Sequence, residues 1–594
     1  MNKIKKLVHK IRFVIVQVFK ASPIIGLICI LTVLFDGGLP IIEATILKYI
    51  IFHIENYKGN FSNTITIIVA LLVVEFLALS IQKVINNYRA ILGRIASMKI
   101  TYRMQSMILN KVKKIPFSYF DDPEFHNLYS NAQGQTNTSL SNLVVNTFGM
   151  LSFIVTFISF SVVVINFNLY CFILITITAL PTLFFKFGFQ GKLFELVFKD
   201  TKIQREQGYY YSVMSSPNSV REVKIFGLYS FFEKRRKKLF YEHFNNTLNL
   251  AKKELIGNLF VNLLAKTGTY ISILILIIIF LSRGLPISDF TLILTAMTSI
   301  ETTIYVIVEV LASNHNNLLF LDYFFDFINY PEENLDTKNI PINSINTIEF
   351  RNVSFKYPNT ERYLLKDFSF KIFSGESVAI IGENGSGKST LIKLLLQLYK
   401  PNEGRILINN NEIQEYQVDL LSRLFAPVFQ DFTKFAVTIK ENVVFGNIHC
   451  NDDKKLINAL KITNLYDYVS KLKNQTDSQL TRLFSTSGEE LSIGQWQKLC
   501  IARALYSNAD VLVLDEPSAA LDPKTENMIS EHLLSLKGKK TVLIITHRLS
   551  YLKNVDKVIF FSKNGNIKIN SHDFLYKNDA EYKKYYDGQA EKYL

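Results

Sequence analysis

SVAIIGENGSGKST, running from Ser377 to Thr390, is the stretch on which the reading of this chain turns. From Gly382 onward it fits the template G-x-x-x-x-G-K-[ST], with Gly382, Gly387, Lys388 and Ser389 at the fixed positions. SVAII before it reads as a short buried strand, and LIKLLLQL (Leu391 to Leu398) after it as an apolar helix. A strand, a small-residue loop and a helix in that order let backbone N–H groups turn inward toward a phosphate chain, and the helix N-terminus adds positive potential. Asn384, Gly385, Ser386, Gly387 and Thr390 are therefore expected beside a nucleotide's phosphates. Lys388 is expected to neutralise the terminal phosphates, and the Ser389 hydroxyl to hold Mg2+.

Upstream, TIEFRNVSFKYP (Thr347 to Pro358) alternates like a strand and ends at Tyr357, before Pro358. LFAPVFQDF reads as a short strand ending at Gln430, and an α-helix is expected from about Asp453 to Lys473. GEELSIGQWQKLCIARAL (Gly488 to Leu505) reads as a glycine turn opening a helix. VLVLDEPSAALD places Asp515 and Glu516 at the end of a buried apolar strand, and TVLIITHRLS ends another at His547. Apolar runs alternating with helices imply a mainly parallel sheet, whose ligands sit at the carboxyl ends of the strands. Gln430, Asp515, Glu516 and His547 all fall at such ends, so one site is expected from residues far apart in sequence. Moving a γ-phosphoryl group to water is mostly positioning and charge neutralisation. Asp515 suits the Mg2+ shell, Glu516 a general base polarising the attacking water, and His547 a contact to the γ-phosphate.

The first half has a different composition. The 594-residue chain is 48% hydrophobic and carries a net charge of +15. Apolar stretches long enough to span a bilayer lie near 20–52, 62–83, 142–165, 169–190, 255–281 and 289–312. The first is over-long and carries Gly37, Gly38 and Pro40, which predicts a kink or an outward extension. Lys3, Lys5, Lys6, Lys10, Arg12 and Lys20 precede it; the apolar run is too long for a signal peptide, so a retained first helix is expected. Residues 83–141 hold eight Lys/Arg and residues 191–254 thirteen, whereas the other connections are short and hold almost none. The positive-inside rule then places the termini and the long connections in the cytoplasm. The basic charge is thereby assigned to topology and anionic lipid, and nucleic acid is excluded as a partner. Each long connection contains a turn and a short helix, around Tyr119 to Ala132 and Ser215 to Leu228, expected to dock on the nucleotide domain. Asp36, Glu43, Glu75, Lys266, Glu301 and Glu309 lie within spans, as the wall of an acidic cargo cavity or as interhelix pairs such as Lys266 with Glu75 or Glu301. Cys29, Cys171, Cys450 and Cys500 show no paired spacing, which argues against disulfides and zinc.

With these motifs in order, the chain from about 345 to its end resembles an ABC-transporter nucleotide-binding domain. The resemblance implies a six-span α-helical transmembrane domain (1–328), a linker (329–344) and an α/β P-loop NTPase domain (345–594). That second domain would have a mainly parallel sheet, an antiparallel β subdomain and a helical subdomain. It implies that Tyr357 stacks on adenine, and that Gln430 touches Mg2+ and senses the membrane domain. Ser492, Gly494 and Gln495 of the signature loop would complete the ATP site of a second copy, with Asp522 near the dimer seam. The loop reads LSIGQ, with Ile493 where the family usually has glycine. One domain of each kind resembles a homodimeric half-transporter of exporter type, in a bacterial cytoplasmic membrane with its ATPase in the cytoplasm. VFQDFTKFAVTIKENV (Val428 to Val443) and GQWQKLCIARAL (Gly494 to Leu505) are similar to lanthipeptide and other bacteriocin exporters. That implies a peptide cargo, modification enzymes nearby and a separate leader peptidase. A lipid flippase or multidrug exporter fits the same architecture, and an ATP-gated channel or sensor is the rival class.

Overall fold

The computed structural model describes residues 10, 12–13, 16, 19–20, 23–57, 59, 61–284, 286–332, 340–358, 360–517, 521–563 and 565–590. Lys3, Lys5 and Lys6 of the basic flank, the middle of the expected linker (333–339) and residues 518–520 of the SAALD segment lie outside them. The chain divides into two compact units: Met1–Lys113 with Glu124–Tyr330, and Lys114–Pro123 with Pro331–Leu594.

The first unit is helical. Its helices are α1 (Pro23–Glu55), α2 (Phe61–Val112), α3 (Pro123–Phe167), α4 (Leu169–Ser215), α5 (Val220–Ile225), α6 (Tyr229–Arg283) and α7 (Ile287–Ile328). Among the described residues six helices, all of these but α5, are long and apolar enough to cross a membrane. α2 runs on well past its apolar stretch, where Lys83 to Ile115 show apolar residues at three- and four-residue spacing, and α4 and α6 also extend well beyond theirs. Pro123 opens α3, where a missing N–H costs nothing. The short helix expected after Asp122–Pro123 is thus the start of a 45-residue helix, and the short element is a 3-10 turn before it, Phe117–Asp121. α5 matches the second expected short helix and leaves Ile225 and Phe226 exposed.

α1 stays helical through Gly37, Gly38 and Pro40. Gly37 serves contact: a Cβ there would lie 2.6 Å from the Ser152 carbonyl oxygen and from Val155, both on α3. The Thr156 hydroxyl donates to the Gly37 carbonyl at 2.9 Å across the same approach. Further along the bundle Phe160, Cys171, Ile175, Leu276, Ala296, Met297 and Ile300 form a common core from α3, α4, α6 and α7. Lys266 pairs with Glu301 at 3.0 Å, and buried Lys186 with Glu309 at 2.7 Å. The interhelix pairing expected for Lys266 is therefore present, with Glu301 as partner.

The second unit holds two sheets. One is antiparallel, in the order β2 (Leu365–Phe373), β1 (Thr347–Phe355), β4 (Glu403–Ile408), β5 (Asn411–Glu412). The other has the order β10 (Ile567–Asn570), β9 (Lys557–Phe561), β3 (Ser377–Gly382), β8 (Thr541–Ile545), β7 (Val511–Asp515), β6 (Phe425–Val428). All its pairings are parallel except β9 with β10. β3, β7 and β8 are buried along their whole length, which explains their unbroken apolar runs. A separate helical core gathers Ile439, Leu460, Val469, Trp496, Leu499 and Tyr506. The helix expected over 453–473 is two helices, Asp453–Ile462 and Tyr466–Val469, because Asn464 takes a left-handed φ of 51° between them. β1 ends at Phe355, before Tyr357, where the Lys356 N–H leaves the ladder for the Asn402 side chain at 2.8 Å.

Gly37→Ala puts a Cβ against backbone that has nowhere to move, so α1 and α3 must separate. A loss of about 1–3 kcal/mol, as for an overpacked core, is expected in thermal unfolding of detergent-solubilised protein.

Candidate active site

β3 delivers its last residue, Gly382, to the carboxyl edge of the parallel sheet, and α8 (Lys388–Leu395) leaves from the far side of the loop. The loop can turn this tightly because Gly387, at the helix N-cap, has φ 105°, a conformation side chains with a Cβ rarely take. Lys388 is 6% exposed, and its ammonium donates to the carbonyls of Gly382 at 2.9 Å and Glu383 at 2.8 Å. Burial pushes this ammonium below its ordinary pKa, while the nearby Glu516 and Asp515 carboxylates pull it back.

The neighbouring strands bring the acids. Asp515 ends β7 in a buried position, and burial raises its carboxyl pKa against the lowering effect of a hydrogen bond from Ser389. Its Oδ1 is buried and has no hydrogen-bond partner among the described residues. An orphaned carboxylate oxygen beside a serine hydroxyl is a donor set that suits a hard cation such as Mg2+. Glu516 follows with φ 47°, a strained value for a residue with a Cβ. Two bonds hold it there: its N–H donates to the Ile545 carbonyl at 3.0 Å, and the Gln497 amide donates to its carbonyl at 3.1 Å. Its carboxylate meets the Gln430 amide at 3.1 Å and His547 Nε2 at 3.2 Å. A cavity of about 470 Å3 opens here, lined by the phosphate loop together with Tyr357, Gln430, Glu516 and His547.

The structure thus brings the phosphate loop, Tyr357, Gln430, Asp515, Glu516 and His547 together. Ser492, Gly494, Gln495 and Asp522 are not among the residues that line this cavity. Ser492 instead caps α9 (Ile493–Tyr506): its side chain accepts from the Gln495 N–H at 3.2 Å, and Gln495 reaches back to the Ser492 N–H at 2.9 Å. Ile493 occupies the first helical position with its side chain 64% exposed, so it disturbs neither cap nor core. Asp522 caps α10 (Pro523–Ser535) through the Thr525 N–H at 2.9 Å and pairs with Lys498 at 2.9 Å. At the outer edge of the cavity the Tyr357 hydroxyl lies 3.2 Å from Thr390 Oγ1, and its ring stands edge-on to Tyr399 at 5.2 Å. Tyr399 in turn meets Phe117 edge-on at 5.9 Å and donates to Asp121.

Sequence reasoning passed over Gln497, Tyr399 and Tyr585. Gln497 had a signal, being a polar residue on the side of the helix that buries Trp496, Cys500 and Ile501. Tyr399 and Tyr585 had none, since their partners lie far away along the chain.

The ABC transporter family profile matches residues 365–519. The chain is 29% identical over 572 residues to the subtilin transport ATP-binding protein SpaT of Bacillus subtilis, covering 94% of this chain and 91% of that one. It is 25% identical to the nisin transport ATP-binding protein NisT of Lactococcus lactis subsp. lactis, with 88% of each chain covered. Residues 365–519 thus carry the ABC transporter domain. Its fold superposes on a bacterial Atm1-family ABC exporter with ATP bound, at a TM-score of 0.82 and 22% identity, covering 95% and 97% of the two chains. The transporter binds ATP and couples its hydrolysis to transport, and it is a multi-pass membrane protein.

In this transporter the Thr525 N–H and the Lys498 ammonium hold the Asp522 carboxyl well below the usual aspartate range. A carboxyl with a depressed folded-state pKa adds stability above the unfolded value of 3.8 and loses it as pH falls below that value toward the folded one. Asp522→Asn keeps the cap acceptor and removes the charge. Its melting temperature is expected to fall below that of the parent at pH 7, the gap closing only below the ordinary aspartate pKa.

Proposed function

We propose that two copies of this ABC transporter clamp two ATP molecules between them and use hydrolysis to export a peptide across a bacterial cytoplasmic membrane. The observation that supports the peptide reading is the alignment with a subtilin transport protein over 94% of the chain. A second copy is called for because Ser492, Gly494, Gln495 and Asp522 are absent from the lining of the cavity that holds Lys388 and Glu516. A capped helix start with an exposed Ile493 is suited to meet nucleotide held by the other copy.

In this reading Tyr357 stacks on adenine. The loop from Gly382 to Thr390 cradles the phosphates, and Lys388 exchanges its carbonyl partners for phosphate oxygens. Ser389, Gln430 and Asp515 hold Mg2+, which when bound offsets phosphate negative charge. Glu516 takes a proton from the attacking water, and His547 orients the terminal phosphate and that water. The left-handed backbone of Glu516, bonded on both sides, supports a catalytic role, since strain of this kind collects at functional sites.

Glu516→Gln is expected to slow turnover by about 10²–10⁴ while ATP binding and dimerisation persist. Proteoliposomes containing the full chain should accumulate a leader-bearing modified peptide against its gradient with ATP, and not with Glu516→Gln. Movement of labelled phospholipid without peptide uptake would assign a flippase. Passive flux that needs only bound nucleotide would assign a gated channel. A chain that remains monomeric at saturating ATP with Glu516→Gln refutes the clamp.

A further inference from the structure

The C-terminal helix α11 (Ala580–Ala590) sends one polar group into the site just described. The Tyr585 hydroxyl lies 3.4 Å from Nδ1 of His547 and 3.4 Å from the Gly382 carbonyl oxygen. The helix is well anchored for this. Tyr582, one turn earlier, is fully buried with its hydroxyl 2.8 Å from Nδ1 of His572, and the Tyr585 ring packs against Phe560 at 5.3 Å. Phe560 belongs to β9, the strand beside β3, so the hydroxyl is set from the same sheet that carries the phosphate loop.

A neutral imidazole has one N–H, and the group bonded to one nitrogen decides which nitrogen carries it. Nε2 of His547 faces a Glu516 carboxylate oxygen at 3.2 Å, an acceptor, so the productive form carries its proton on Nε2. Nδ1 is then a lone pair that needs a donor. A phenol can be that donor, and Tyr585 keeps its proton: burial, the largest influence, raises its pKa, and the nearby Glu383 and Glu516 carboxylates add to the rise.

We propose that Tyr585 is a positioning residue for ATP hydrolysis, its hydroxyl donating to Nδ1 of His547 and holding the tautomer whose Nε2–H points at Glu516. The proposal rests on the assignment of Glu516 and His547 above. It makes the last helix of the chain part of the catalytic apparatus, although that helix lies outside residues 365–519, where the family profile matches. The Gly382 carbonyl competes for the same phenol proton. When Tyr585 donates there, its oxygen can accept from Nδ1–H, and the imidazole changes tautomer.

The test uses the full chain in proteoliposomes with Tyr585→Phe, Tyr585→Leu and His547→Ala. Readouts are kcat, the KM for ATP, the melting temperature, and nitrogen-15 spectra of labelled imidazoles with His547 assigned by subtraction of His547→Asn. Tyr585→Phe keeps the ring against Phe560 and removes only the hydroxyl. It is expected to lower kcat on the order of tenfold, in line with the loss of an orienting partner. KM and melting temperature should hold, and the His547 signal should change from one tautomer to two. Tyr585→Leu should show the same kcat loss with a lower melting temperature. Full kcat in Tyr585→Phe alongside an inactive His547→Ala overturns the proposal. A kcat loss that comes with a lowered melting temperature and an unchanged nitrogen spectrum also overturns it, by assigning a packing role. A fully active His547→Ala overturns the site assignment beneath it.

Discussion

A buried positive charge has to be answered by its surroundings, and in this protein that charge is the ammonium of Lys388. Two carbonyls of its own loop accept from it, and the carboxylates of Asp515 and Glu516 lie close enough to support its charged form. The loop is therefore already bent around a cation, with its helix N-terminus facing the same way. Bringing in a phosphate chain exchanges one set of oxygens for another and requires little rebuilding. Such advance ordering is what makes fixed charges effective in a site where water is scarce.

The two neighbouring carboxylates have different surroundings. Asp515 is at the buried end of β7, hydrogen-bonded by Ser389 and with its Oδ1 unpartnered among the described residues. Glu516 is one residue further on, past the strand, and its backbone is forced into the left-handed region. That turn carries its side chain away from Asp515 and toward Gln430 and His547. The strain is held by the Ile545 carbonyl in front and the Gln497 amide behind, so the residue that needs freedom at its carboxylate has none in its backbone.

A second chain of contacts leads outward from the same cavity. Tyr357 touches Thr390 of the loop through its hydroxyl and Tyr399 through its ring, and Tyr399 holds both Phe117 and Asp121 of the short turn that precedes α3. Lys393 sits over both tyrosine rings, 5.5 Å from one and 5.8 Å from the other. This turn, although it comes from the sequence between two long membrane-type helices, belongs to the compact unit that holds the site.

Much of this was legible in the chain itself. The spacing from Gly382 to Ser389 follows from backbone requirements alone: the turn needs small residues and the phosphate needs a cation at a set distance, so local order suffices. The apolar runs ending at Asp515 and His547 announced buried parallel strands, and six long apolar stretches announced the helices, because burial and lipid both act on composition. Other features needed the folded chain. The break at Asn464 was missed because left-handed turns have weak sequence signals, and the helix that starts at Pro123 was read as short. Gly37 lies against the backbone of α3, a contact that no pattern within α1 contains. Tyr585 is 38 residues beyond His547, on a helix whose periodicity shows only a solvent face and a buried one. Residue types and local spacing decide what chemistry a segment can offer. Which distant hydroxyl meets which imidazole nitrogen is decided by strand order, since only the sheet brings β3, β8 and β9 side by side and packs the last helix over their ends.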